Sequence, residues 1–184
     1  KNIYTNKNTQ KEKEMNIIEN AHVTLNNGNF SASIHPESIQ KELQTLENHI
    51  GTEHFNMIRS NAIERYVNSF LRSIKKIERE SLTQETIQKI RSEYVDSFHM
   101  TSLFASEVRE AYKAGFDIDS EISQNSDGSL INHKISLLGV GSVSEILEDG
   151  RDNSVYYIVC ESPNISRARR AMNLPEKDLH ITIG

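Results

Sequence analysis

Two short segments, SFHMTSLF at residues 97–104 and LPEKDLHITIG at residues 174–184, decide the predicted fold. Both segments are typical of short strands with one buried face. Each contains a histidine followed two residues later by a threonine, in the tripeptides that begin at His99 and His180. Because residues i and i+2 of a strand point to the same face, each tripeptide predicts an imidazole beside a hydroxyl. This combination suits phosphate chemistry, since imidazole transfers protons near neutral pH and a hydroxyl donates to phosphate oxygen.

The chain between the two motifs alternates between helix and strand signals. A helix over EVREAYKA is predicted, with Ser106 as its cap and Gly115 as its stop. Residues 130–143 and 154–160 are rich in β-branched and apolar side chains, which favours strands, and residues 164–173 predict a short basic helix. The resulting order of strand, helix, two strands, helix and strand is an α+β order.

The N-terminal half combines a hairpin with helices. Residues 21–34 predict two short strands around an Asn-Gly turn. Helices are predicted over about 36–50, 53–79 and 83–94, each with an apolar stripe that favours core packing over an exposed partner groove. Residues 1–20 are polar, and we expect a flexible tail there that ends in a short helix.

Composition limits the classes of function. The 184 residues carry 21 basic and 26 acidic side chains, which argues against a nucleic-acid binder that works through total charge. An enzyme that acts on a nucleic-acid end stays possible, because a local basic patch suffices. The single cysteine, Cys160, excludes an internal disulfide and favours a reducing, cytoplasmic location. No membrane span or signal peptide is expected, and the first residue, Lys1, suggests a fragment or a processed chain.

The two motifs resemble those of the 2H phosphoesterase superfamily, which includes RNA 2′,5′-ligase-like proteins, cyclic nucleotide phosphodiesterases and the phosphodiesterase domain of fungal tRNA ligases. The motif histidines are 81 residues apart (180 − 99), as the resemblance leads one to expect. The resemblance covers residues 97–184 well and 29–50 loosely. Ser102 occupies a position that is usually apolar in the first motif, and family members continue beyond the position of Gly184.

The resemblance implies an α+β fold with two antiparallel sheet lobes around a cleft and helices outside them. It predicts one domain over residues 21–184, with a helical insertion at about 53–94 and a shortened C-terminus. The motif histidines would face each other across the cleft.

The same resemblance implies a metal-independent phosphodiesterase that acts on an RNA end or a nucleotide, such as a 2′,3′-cyclic phosphate or a 2′,5′ linkage. It assigns His180 as the base that activates water and His99 as the acid that protonates the departing ribose oxygen. Thr101 and Thr182 would hold the non-bridging phosphate oxygens. No metal or other cofactor is expected.

Two alternatives stay open within enzymes, RNA 2′,5′-ligation and hydrolysis of a cyclic ADP-ribose phosphate. A third alternative is a non-catalytic helical interaction protein built on a vestigial 2H scaffold. The position of the two motif histidines in an open cleft distinguishes the enzymes from the scaffold.

Other candidate residues have structural interpretations beside the functional ones. The second motif is preceded by a basic cluster, which comprises Arg167, Arg169, Arg170 and Lys177. We predict Arg170 as a substrate contact, whereas a solvated helix face is the other interpretation.

His22 begins a third His-x-Thr tripeptide and could pair with either motif, but a hairpin position favours a structural role. Gly139 and Gly141 predict a bend or bulge within a strand. The remaining histidines have no ligand spacing for zinc, and Cys160 is predicted to be buried.

Overall fold

The computed structural model describes residues 2–4 and 16–184 of the chain. The strands of these residues are β1 (Asn2–Tyr4), β2 (Asn16–Ala21), β3 (Val23–Asn26), β4 (Asn29–Ile34), β5 (Phe98–Leu103), β6 (His133–Ile146), β7 (Asp152–Glu161) and β8 (Leu179–Thr182). The helices are α1 (Gln40–Ile50), α2 (Thr52–Ser73), α3 (Lys76–Glu80), α4 (Gln84–Tyr94), α5 (Ala105–Lys113) and α6 (Pro163–Ala171). A 3₁₀ turn, Pro36–Ile39, precedes α1, and a π-helical turn, Asp119–Ser123, follows α5.

The chain divides into two compact units. The sheet unit comprises Lys1–Ile34 and Phe98–Thr182, and the helical unit comprises His35–Ser97 with Ile183–Gly184. The segment predicted as a helical insertion, at about 53–94, lies inside the helical unit, which begins earlier, at His35. The predicted single domain over residues 21–184 stays a prediction.

The strands of the sheet unit form one antiparallel sheet in the order β1-β6-β7-β8-β5-β4-β3, and β2 also pairs with β6. The α+β fold is therefore confirmed. The two motif strands, β5 and β8, are neighbours, with Met100 opposite Ile181. This pairing joins the half of the sheet that ends at β8 to the half that begins at β5.

One face of the sheet is apolar and buried. Met100, Ile158 and Ile181, on three adjacent strands, are completely buried. α5 packs against β4, and α6 packs against β6 and the π-helical turn. Since successive strand residues point to opposite faces, this packing leaves the side chains before and after Met100 and Ile181 on the other face.

The predicted hairpin is present as β3 and β4. Val23 pairs with Ala32 and Asn26 pairs with Asn29. The turn residues Asn27 and Gly28 have φ angles of 50° and 83°, as a tight hairpin turn requires. β4 pairs with β5, so the hairpin extends the sheet on the side of the first motif strand.

The N-terminal segment differs from the predicted tail. Asn2–Tyr4 and Asn16–Ala21 form strands that pair with β6, so the short helix predicted at the end of the tail is wrong. An edge strand is held by main-chain hydrogen bonds, and polar side chains are therefore compatible with it. The rest of the predicted tail, Lys1 and residues 5–15, lies outside the described residues.

Two helix boundaries also differ from the predictions. The helix predicted over 53–79 is interrupted at Ile74, whose backbone is extended, and α3 follows it. The apolar stripe of the predicted helix is not buried beyond this break, since Ile77 is 82% exposed.

α5 begins at Ala105 with Phe104 as N-cap instead of Ser106, because the Glu107 carboxylate accepts the Phe104 N–H at 3.1 Å.

The helical unit packs α1 and α4 against α2, with Leu46, Ile58 and Val67 buried. Within this unit the Arg59 guanidinium donates to the carbonyl oxygens of Ile183 and Val95 at 2.6 and 2.9 Å. Among the described residues, no helix combines the length and the apolar character needed to cross a bilayer.

Candidate active site

The pairing of β5 with β8 brings both motifs together on one face of the sheet. With Met100 opposite Ile181 in an antiparallel ladder, the residues before one align with the residues after the other. This register aligns the four predicted residues in two sets across the strands: His99 with Thr182, and Thr101 with His180. Both imidazoles are exposed and both hydroxyls are half-buried, so a ligand can reach all four.

A hydrogen bond within the second motif sets the tautomer of His180. The Nδ1 atom of His180 lies 3.0 Å from the carbonyl oxygen of Asp178. A carbonyl oxygen only accepts, so Nδ1 carries the proton in the neutral ring. The Nε2 atom is then left with its lone pair, which is the form that a general base needs.

His99 lies in a different electrostatic environment. The pKa of His99 is below its ordinary value, first because neighbouring protein removes part of the water around the ring, although the residue as a whole is exposed, and second because of the positive charge of His180. The second cause requires the two imidazoles to lie close enough to interact. A positive charge on His180 therefore disfavours protonation of His99.

Tyr157 on β7 is a site residue that the sequence analysis missed. It lies opposite Thr182 in the ladder between β7 and β8, and its ring contacts the His180 ring edge-on at 5.8 Å between centroids. Its phenol rests on Gly141 of β6, where a Cβ atom would approach the ring to 2.9 Å. Gly141 thus makes room for the tyrosine that supports His180. Gly139, two residues earlier, borders the predicted bulge.

A groove of about 540 Å³ begins beside His180 and runs over β6 and β7. Its walls are mostly aliphatic or aromatic: Leu138, Val143, Val155, Tyr157, Val159 and Leu179. Leu138, Val143 and Val155 are exposed although apolar. This size and character are typical of pockets that bind small organic ligands.

The residues of the basic cluster before the second motif lie in different surroundings. Arg170 is exposed and lines a second, more polar cavity of about 360 Å³, whereas the groove beside His180 does not include it. Lys177 lines both cavities, and its ammonium lies 3.2 Å from the centroid of the Phe104 ring. Burial lowers the pKa of Lys177, the charge of Glu107 raises it and the charge of Arg169 lowers it, with a net decrease. Arg169 is buried and has protein partners.

The remaining histidine candidates have structural positions. His22 donates from Nε2 to the Asn132 amide oxygen at 2.7 Å, which suits the predicted structural role. His133 is buried, and its Nε2 donates to the carbonyl oxygen of Ile122 at 2.7 Å. Cys160 is buried, as predicted. Within residues 2–4 and 16–184, no group of three or more His, Cys, Asp or Glu side chains is arranged to hold a metal ion.

A comparison with known protein families gave a match. Residues 62–184 match the family model described as Swiss Army Knife, 2H phosphoesterase domain. The chain is a 2H phosphoesterase. The match includes both motif strands, and a phosphoesterase-type function follows from it. Searches of curated proteins and of solved structures gave no match for this 2H phosphoesterase.

Proposed function

We propose that this 2H phosphoesterase is a metal-independent phosphodiesterase that acts on an RNA end or a nucleotide, at a 2′,3′-cyclic phosphate or a 2′,5′ linkage. The observation that carries the proposal is the pairing of Met100 with Ile181, whose register aligns His99 with Thr182 and Thr101 with His180. Two acid–base groups and two hydroxyl donors on one open face are sufficient for phosphodiester hydrolysis.

The proposed reaction begins with water at the phosphorus. His180 accepts a proton from this water at Nε2, and the Nδ1–H bond to the Asp178 carbonyl supports that tautomer. His99, in its protonated form, donates to the departing ribose oxygen. The hydroxyls of Thr101 and Thr182 donate to the non-bridging oxygens, which gain negative charge in the transition state.

The groove beside His180 supports a substrate larger than a bare phosphate. A phosphate at the histidines would leave an attached nucleoside or other organic group within reach of the apolar walls at Val155 and Val159. Lys177 connects this groove with the cavity of Arg170, and an anionic continuation of the substrate would find basic groups there. Arg170 therefore stays a proposed substrate contact, at a distance from the reacting phosphate.

A substrate panel tests the proposal. We expect turnover of at least one of three classes: 2′,3′-cyclic nucleotides, cyclic-ended RNA and 2′,5′-linked oligoadenylate. EDTA should leave the rate unchanged, because side chains supply both the proton transfers and the contacts to phosphate. A rate that falls on chelation and returns with a divalent ion would contradict the two-histidine mechanism. Turnover of a cyclic ADP-ribose phosphate alone, or ligation alone, would favour those alternatives instead.

The electrostatics of His99 predict the pH dependence. Since burial and the charge of His180 favour its neutral form, the protonated fraction of His99 at pH 6.5 is below the half expected of an unperturbed histidine. We therefore expect the pKa of His99 to lie below 6.5. NMR titration of the ring measures the same pKa directly.

The His180→Gln variant is the control for this titration. Removal of the His180 charge should raise the pKa of His99 only part of the way to its ordinary value, because burial is the larger cause. A wild-type pKa of His99 above 6.5 would contradict the described electrostatics of the site.

A further inference from the structure

Arg169 on α6 has an unusual position for an arginine. Its side chain is 3% exposed, and its partners all belong to the sheet unit. The guanidinium donates from Nη1 to Glu107 Oε1 at 3.1 Å and from Nη2 to Oε2 at 2.6 Å. This two-point contact with a carboxylate uses the planar, forked geometry of arginine, which lysine lacks.

The same guanidinium also holds two main-chain carbonyls, one in the first motif strand and one in the segment before the second. Nη1 donates to the Ser102 oxygen at 2.7 Å, directly after Thr101 on β5. Nη2 and Nε donate to the Pro175 oxygen at 2.8 and 3.3 Å, in the segment that leads to β8. One buried cation therefore connects the end of the first motif strand to the segment that leads into the second.

The backbone of Arg169 holds the same lead-in segment. Its carbonyl accepts the N–H of Leu174 at 2.9 Å, and the Arg170 carbonyl accepts the N–H of Asn173 at 3.0 Å. With Asn173 at a φ of 56°, these bonds form a Schellman motif that turns the chain out of α6. Both the side chain and the main chain of Arg169 thus determine where the Pro175 segment begins.

The sheet itself contributes little to this connection. Among the described residues, the ladder between β5 and β8 has its one registered pair at Met100 and Ile181. The ladder between β7 and β8 is registered from Tyr157–Thr182 to Cys160–Leu179. Contacts outside this short ladder therefore add to what fixes the relative position of the two motif strands.

We propose that Arg169 is a positioning residue of the active site, which holds β5 and the lead-in to β8 at the spacing that lets His99 and His180 act on one phosphate. This inference rests on the proposed two-histidine function. Arg169 does not contact the reacting groups, and it acts through the carbonyls of Ser102 and Pro175. Glu107 orients the guanidinium for both.

The main test compares Arg169→Met with the double variant Arg169→Met/Glu107→Leu. We expect the single variant to lower kcat by about 10–100-fold with KM changed only a few-fold, because a small displacement of catalytic groups has effects of that size. The single variant leaves the half-buried Glu107 carboxylate without its guanidinium partner and should lose thermal stability, whereas the apolar pair should recover much of it. The double variant still lacks both carbonyl contacts, so we expect kcat to stay low.

Two further variants complete the test. Arg169→Lys keeps the charge but not the fork, and we expect it to restore less than a tenth of the lost kcat. Arg167→Met, an exposed change on the same helix, should have wild-type kinetics. A stable double variant with wild-type kcat, an Arg169→Met protein with wild-type kcat, or failure of all three Arg169 variants to fold would overturn the positioning role in favour of a purely structural one.

A second readout separates this inference from the proposed function. Arg169→Met should shift the NMR ring signals of both His99 and His180, and Arg167→Met should shift neither. This measurement needs no turnover. If the wild type hydrolyses no phosphodiester, the proposed function fails, but the ring signals still show whether Arg169 positions the histidines. Unchanged ring signals in a folded Arg169→Met protein would overturn the inference.

Discussion

His99→Ala and His180→Ala should each lower kcat by roughly 10²–10⁴-fold, the usual contribution of a general acid or base. Each variant removes one of the two groups that move protons in the proposed reaction. Thermal stability should stay close to that of the wild type, because both imidazoles are exposed on the open face of the sheet. Steady-state kinetics on the best substrate of the panel, together with a thermal melt, measure both expectations.

The double variant His99→Ala/His180→Ala should be little slower than either single variant. Groups that act as a unit are not additive, since the loss of either one already disables the concerted proton transfer. An effect close to the product of the two single effects would show that the histidines act independently, against the proposed mechanism.

His22→Ala is the matched control for these variants. His22 begins the same His-x-Thr tripeptide, but its ring is bonded to the Asn132 side chain and it belongs to neither motif strand. Its kcat should stay within a few-fold of the wild type. A decrease of 100-fold or more in a folded His22→Ala protein would mean that the wrong motifs are paired.

Thr101→Ala and Thr182→Ala should each lower kcat by about 10–10³-fold, the range for loss of one preorganised donor to a developing oxyanion or somewhat below it. The effect is smaller than for the histidines, because the remaining hydroxyl and both imidazoles still act on the phosphate. Thermal stability should change little, since both threonines are only half-buried.

Serine variants at the same two positions separate the hydroxyl from the methyl group. Thr101→Ser and Thr182→Ser keep the donor and should recover most of the rate that the alanine variants lose. Thr24→Ala is the matched control, because Thr24 ends the third His-x-Thr tripeptide on the exposed side of β3. If the serine variants are as slow as the alanine variants, the threonines serve packing and not oxyanion binding.

The outcome for Arg169 illustrates why basic clusters are difficult to interpret from sequence. Arg167, Arg169 and Arg170 lie within four residues of one another on α6. Helical periodicity directs Arg169 to the buried face and the other two to solvent. Which of the three finds a carboxylate and two free carbonyls depends on Glu107, Ser102 and Pro175, which come from three other places in the chain.

The N-terminal segment shows the limit of composition as a guide. Residues 1–20 as a whole are polar enough to suggest a tail, yet residues 16–20 belong to β2 because β6 offers main-chain partners. An edge strand needs hydrogen bonds from its backbone more than burial of its side chains. Only the presence of the long strand His133–Ile146 made this segment a strand.

The sequence by itself determined the two His-x-Thr strands, the hairpin around Asn27-Gly28 and the α+β order, because these depend on period-two alternation and on local turn chemistry. Tertiary structure alone decided that Met100 faces Ile181, and hence that each histidine lies beside the other motif's threonine. It also decided that Gly141 leaves room for Tyr157 under His180 and that Arg169 joins Ser102 to Pro175. The physical reason is the separation along the chain between the residues involved. Alternation and turns are determined by residues within a few positions of one another, whereas register and buried ion pairs depend on which distant strands become neighbours.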